Sequence, residues 1–150
     1  MRKKMYITFI ITVLLDQITK FIVVKYLTNV TIIPKLLSFI YTENRGAAFS
    51  IFTNKQLFLI ISSIILLVAL IYMYKREYKK HKDSNLYNIV YGMIFGGIVG
   101  NLLDRIIRNY VVDFIFVRIH KIYFPVFNLA DVFITVGVIV LLVFLFRSEE

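Results

Sequence analysis

Two short stretches, VVDF at 111–114 and FNLAD at 127–131, hold the pair of side chains best suited to chemistry. Asp113 lies near the start of VVDFIFVRIHKIYF, a run rich in strand formers with His120-Lys121 placed for a turn, and Asp131 lies beyond its end. A hairpin there would fold Asp113 back over the residues around Asp131. Two carboxylates held close together share a proton, because like charges at short range raise one pKa. The ionised member can take a proton from water while the protonated member polarises a carbonyl, which is amide hydrolysis without a metal. An ion or proton pathway would use the same two groups. Other chemistries lack their parts. The chain has no cysteine, which excludes thiol nucleophiles, disulfides and thiolate zinc sites. His81 and His120 stand far apart and no H-E-x-x-H is present, so no metal or other cofactor is expected. Ser62 and Ser63 have no histidine nearby and no G-x-S-x-G elbow.

The elements that must position these aspartates are membrane spans. Of 150 residues, 59% are hydrophobic, and the mean hydropathy of +0.78 is too high for an ordinary soluble domain. Four stretches, at about 5–24, 57–74, 86–103 and 126–146, match the roughly 20 residues that cross a bilayer core. The basic start MRKK and the stretch KREYKKHKDSN, with five Lys or Arg in eleven residues, place both on the cytoplasmic side. Four spans then return the C-terminus to that side. The net charge of +9 reads as topology and anionic lipid rather than nucleic acid. Residues 1–24 have a rival reading as a signal peptide, but Asp16 and Lys20 interrupt the apolar run and no small-x-small site follows, so a retained span is expected. The expected fold is a membrane all-α core of four transmembrane helices plus a small β-rich extracytoplasmic platform. Outer segments 25–56 and 104–125 build the platform, where NVTII and LLSFIYT flank Pro34-Lys35. All of 1–150 reads as one integral membrane domain.

Polar residues that a bilayer resists fall at one level. Asp16 and Lys20 lie in the outer half of the first span, four apart and on one helix face. Asn101, Asp104 and Arg105 close the third span, Asn128 and Asp131 open the fourth, and Asn44 and Asp113 lie in the outer segments. Each has a structural reading. Asp16 and Lys20 pair, Asp104 and Arg105 sit at a helix end, Asn44 before Arg45-Gly46 fits a turn, and Asn128 caps a helix whose third residue is Asp131. Separately these suffice, but they do not explain the convergence. Gly96 and Gly100 form a small-xxx-small pair, read as helix packing.

The same residues fall in five ordered blocks: DQITK at 16–20, NRGAAF at 44–49, GGIVGNLLDR at 96–105, VVDF and FNLAD. In this order, in a four-span chain, the sequence resembles the lipoprotein signal peptidases (signal peptidase II), bacterial membrane aspartyl proteases. The resemblance implies cleavage of diacylglyceryl-prolipoprotein on the amino side of the lipidated cysteine, in the cytoplasmic membrane, with the site on the extracytoplasmic side among membrane lipids. It assigns Asp113 and Asp131 as the catalytic pair. It makes Asp16, Lys20, Asn44, Gly46, Asn101, Asp104, Arg105, Asn128 and Ala130 the substrate-binding or supporting residues. A monomer fits this reading. One departure is the lack of tryptophan before the last block, where Tyr123 stands instead. The competing readings are an ion-coupled transporter, which needs polar groups through the inner half, and a structural subunit without chemistry.

Overall fold

A computed structural model describes residues 2–27, 29–46, 51–81 and 83–148. Its elements run α1 (Arg2–Tyr26), β1 (Val30–Ile33), β2 (Leu37–Asn44), α2 (Gln56–His81), α3 (Asn85–Arg108), β3 (Val111–Ile119), β4 (Ile122–Tyr123) and α4 (Leu129–Ser148). All four helices are long and apolar enough to cross a membrane. They overrun the hydropathy bounds for simple reasons. Hydropathy marks the bilayer core, whereas a helix continues while its backbone bonds do. Thus α1 begins at Arg2, and α2 carries on through most of the stretch expected as a basic loop. Cations in that last turn suit the negative end of the helix dipole. Similarly, α3 runs to Arg108, taking 104–108 from the expected outer segment. It stops at Asn109, whose left-handed backbone (φ 62°) turns its N–H onto the Arg105 carbonyl. By contrast α4 starts at Leu129, because Phe127 is held extended against β3.

α3 is the central helix, packed by α1 on one side and α4 on another. Glycines make this possible. A methyl group at Gly96 would lie 2.6 Å from the Thr12 Cβ, and one at Gly92 would lie 2.6 Å from the Met5 carbonyl. At Gly100 it would strike the Asp16 carboxylate. Gly92, Gly96 and Gly100 thus form one stripe against α1, extending the pair seen in the sequence by a turn. Gly97 faces the other way, onto the Ala130 carbonyl of α4. α2 buries only Leu59 and Tyr74, so most of its length presents apolar side chains outward. Ser62 and Ser63 donate to the Phe58 and Leu59 carbonyls one turn back, which satisfies them structurally.

The strands form one antiparallel sheet in the order β1-β2-β3-β4. The turn at Pro34 to Leu36 carries Lys35 at φ 65°, and His120 at φ 54° turns β3 into β4. β2 and β3 change register between Phe39 and Thr42, where β2 has one extra residue. Such a bulge twists the strand and re-aims the side chains beyond it. Beyond the bulge, Asn44 pairs with Val111 and Thr42 with Asp113, so Asn44 and Asp113 are diagonal neighbours. Ala47, Ala48 and Phe49 of the NRGAAF block lie outside the described residues.

Replacing Gly96 with leucine should cost about 1–3 kcal/mol or more, because the Thr12 Cβ is fixed to the α1 backbone and the Phe9 carbonyl lies 3.0 Å away. Thermal unfolding in detergent, followed by circular dichroism, should show a clear loss. An unchanged midpoint would mean that the α1–α3 contact is not close-packed at this glycine.

Candidate active site

One ammonium group organises the buried polar residues. Lys20 Nζ lies 2.9 Å from Asp16 Oδ2 and 3.0 Å from Asp104 Oδ2, and donates to Asn101 Oδ1 at 2.9 Å. Lys20, Asp16 and Asp104 are all fully buried. A lysine has three N–H donors and no acceptor, so three oxygens satisfy it completely. Each of its partners reaches further. Asp16 Oδ1 accepts the backbone N–H of Ala130 at 3.0 Å, and Asp104 Oδ2 accepts that of Val112 at 3.1 Å. Arg108 Nε also reaches Asp104, at 3.3 Å. Gln17 links Asp16 Oδ2 to the Gly100 carbonyl, both at 3.1 Å.

The start of α4 is built by its own sequence. Asn128 Oδ1 accepts the Asp131 N–H at 3.0 Å, and Asp131 Oδ2 accepts the Asn128 N–H at 3.1 Å, a reciprocal capping box. The capping residue does more than cap. Its Nδ2 donates to Asp113 Oδ1 at 2.7 Å and to Asn101 Oδ1 at 3.0 Å. Asn101 Nδ2 in turn donates to Asp131 Oδ1 at 2.8 Å. Two asparagine amides therefore link the carboxylates of Asp113 and Asp131. The second oxygen of Asp113 accepts from Asn44 Nδ2 at 2.8 Å, and the Gly46 N–H holds Asn44 Oδ1 at 3.0 Å in a local turn.

Chain geometry explains how residues so far apart in sequence meet. β3 and β4 form a hairpin with Arg118 opposite Tyr123, and the returning chain pairs Phe127 with Ile115. Ile115 and Phe127 exchange N–H···O bonds of 2.8 and 3.0 Å. Two residues back along β3 from Ile115 is Asp113, and one residue past Phe127 is Asn128. Val112 and Phe114 pack with Val23 of α1 in a small apolar cluster that anchors the strand.

Asp113, Asp131, Asn44, Asn101 and Arg105 line a common cavity of about 770 Å³. Tyr123 also lines it, in the place where a tryptophan was expected. Burial pushes the Asp113 carboxyl up to about 7, and the nearby Asp131 charge adds to that rise. Near neutrality Asp113 is thus poised between its acid and its anion. Arg105 Nε is buried without a hydrogen-bond partner, although one of its terminal nitrogens reaches the Asn101 carbonyl at 3.3 Å. Among the described residues, no three His, Cys, Asp or Glu side chains converge as a metal site.

Every residue singled out from the sequence as a site candidate belongs to this assembly, Gly46 and Ala130 through their backbone N–H groups. Gln17 and Arg108 were missed, although Arg108 stands one helical turn beyond Asp104. A second buried polar group was also missed. At the other end of the bundle, Tyr74 donates to Asn88 Oδ1 at 2.9 Å, and Asn88 donates to the Ser84 carbonyl at 2.7 Å. An asparagine within the third span was its signal.

The fold and the site define a class: a multi-pass membrane protein with paired carboxylates in a cavity under a small sheet. The model of the family described as signal peptidase (SPase) II matches residues 8–147. The lipoprotein signal peptidase of Clostridium tetani is 38% identical over 148 residues, covering 95% of this chain and 92% of that protein. That of Caldicellulosiruptor bescii is 45% identical over 140 residues, covering 92% and 87%. A solved structure of a bacterial membrane enzyme superposes with a TM-score of 0.86 at 32% identity, covering 97% of this chain and 89% of that one. The chain belongs to the signal peptidase II family.

Replacing Asn128 with alanine should cost about 2–4 kcal/mol, roughly 1 for the lost cap and roughly 1–3 for buried oxygens left without a donor. Denaturant unfolding in micelles measures it. A change within about 0.5 kcal/mol, as for an ordinary surface site, would contradict the bridging role.

Proposed function

We propose that Asp113 and Asp131 are the catalytic dyad with which this signal peptidase II cuts diacylglyceryl-prolipoprotein on the amino side of the lipidated cysteine. As a member of that family, the chain removes signal peptides from prolipoproteins. One observation carries the residue assignment: the two carboxylates share a cavity and are joined through Asn128 and Asn101.

The chemistry follows from the two environments. Asp113, buried and beside a like charge, holds a proton near neutrality. Asp131, less buried and accepting two N–H bonds, is the base. Asp131 takes a proton from water as the water oxygen bonds to the scissile carbonyl carbon. Asp113 gives its proton to the carbonyl oxygen. The tetrahedral intermediate then returns that proton to Asp113, while Asp131 protonates the leaving nitrogen and the C–N bond breaks. The products are a carboxyl-ended signal peptide and a lipoprotein with a free amine. Arg105 lines the cavity wall and brings a guanidinium there for a substrate oxygen.

All of 1–150 acts as one membrane domain in this reading, since α1, α3, α4 and the sheet all supply the site. The basic residues of MRKK and of the α2 end support a cytoplasmic placement of both, and so an extracytoplasmic site in the bacterial cytoplasmic membrane. The diacyl chains would then stay among membrane lipids while the bond is offered at headgroup depth. A monomer suffices, because one chain supplies the whole cluster.

Purified protein given a lipidated prolipoprotein peptide should cleave it, and chelator should not stop it. Asp113→Asn and Asp131→Asn should each lower kcat by about a thousandfold or more. The parent kcat/KM should fall as pH rises past about 7, where Asp113 loses its proton. Sealed right-side-out vesicles should cut peptide added outside. Cleavage persisting in both variants would overturn the dyad, and a need to permeabilise the vesicles would overturn the outward placement.

A further inference from the structure

We infer that Lys20 is a positioning residue for proteolysis: its buried ammonium fixes the relative placement of Asp113 and Asp131 through three separate arms. The inference rests on the dyad reading and adds a part to it.

Each arm starts at the ammonium and ends on, or one residue from, a dyad aspartate. The first runs through Asp16 to the N–H of Ala130, the residue before Asp131. The second runs through Asp104 to the N–H of Val112, the residue before Asp113. The third runs through Asn101. Lys20 and Asn128 both donate to Asn101 Oδ1, so its amide nitrogen must face Asp131. If that amide turned over, donor would meet donor at Lys20 and acceptor would meet acceptor at Asp131. Lys20 thus holds the strand bearing one aspartate and the helix bearing the other by the same atom.

Stability alone does not account for this arrangement. A buried ion pair recovers little beyond the cost of taking both charges out of water. A pairing role would also need only Asp16, four residues earlier on the same helix. The ammonium instead directs two of its three donors to α3, and both partners pass the contact on toward the dyad. Lys20 has no exposed surface and does not line the cavity, so it cannot act on substrate directly.

The test separates positioning from folding. In the double variant Lys20→Met with Asp16→Asn, one cation and one anion leave together. The amide that replaces the Asp16 carboxylate can still accept from the Ala130 N–H, and Asp104 keeps Arg108 and Val112. The melting temperature should stay near the parent value and KM for a lipidated peptide should hardly move. The kcat per folded molecule should fall about a hundredfold, the scale of a 1 Å misplacement of reacting groups. Should the double variant fail to fold, Lys20→Arg decides, since it keeps the charge but replaces the compact ammonium by a planar fork. It should lose kcat with KM held. Parent-like kcat in a folded variant would overturn the inference. Asp113→Asn runs alongside: cleavage surviving there would overturn the dyad itself, whereas a dead Asp113→Asn beside parent-like Lys20 variants would overturn positioning alone.

Discussion

A lysine ammonium with no access to water must find all its partners inside the protein. Lys20 meets that constraint, and much of the site's geometry follows from it. Three N–H donors call for three oxygens, supplied by Asp16 on its own helix and by Asn101 and Asp104 on α3. Those oxygens must be close, which requires α1 and α3 to be close. The stripe of Gly92, Gly96 and Gly100 removes every side chain that would keep them apart. Helix packing and charge compensation are therefore one problem with one solution. Anions brought in to neutralise the lysine have lone pairs to spare, and these capture backbone N–H groups of β3 and α4.

The sheet solves a different problem. Helices alone deliver side chains along their own axes, but the two aspartates come from a strand and a helix start. A hairpin turning at His120 brings the chain back so that Phe127 pairs with Ile115, which sets Asn128 beside Asp113. The β2 bulge lets Asn44 reach the same carboxylate from the other side. Among the polar groups that meet here, asparagine amides recur because each can donate and accept at once. Two of them connect two carboxylates without adding charge to a site already crowded with it. Signal-peptide removal fits this depth, since a lipid-anchored substrate keeps its scissile bond near the end of the spans.

Much of this was legible in the sequence, for identifiable reasons. Intramembrane charge is rare and costly, so Asp16, Lys20 and Asp131 stood out against their apolar runs. Spacing gave the Asp16–Lys20 pair and the Asn128–Asp131 cap, both local and both present in the structure. The ordered motif blocks named the family. Other features could not be read. The contribution of Ala130 is a backbone N–H that any residue but proline would carry, so its letter says nothing of the bond to Asp16. The β2 bulge depends on cross-strand register, which no single strand encodes. Span limits shifted because hydropathy reports the apolar core, while Asn109 and Asn128 set where helices stop and start. Asn88 was passed over because one amide in a span rarely signals more than a local bond, yet it ties α3 to α2 by accepting from Tyr74.

The proposed mechanism requires a carboxyl proton on Asp113 near neutrality. Infrared spectroscopy of the detergent-solubilised protein observes this directly, through the carbonyl stretch of a protonated carboxyl group. One such band is predicted in slightly acidic buffer. It should fade as pH rises through about 7, persist in Asp131→Asn and vanish in Asp113→Asn. A band that survives in Asp113→Asn, or no protonated carboxyl at all below neutrality, would contradict it.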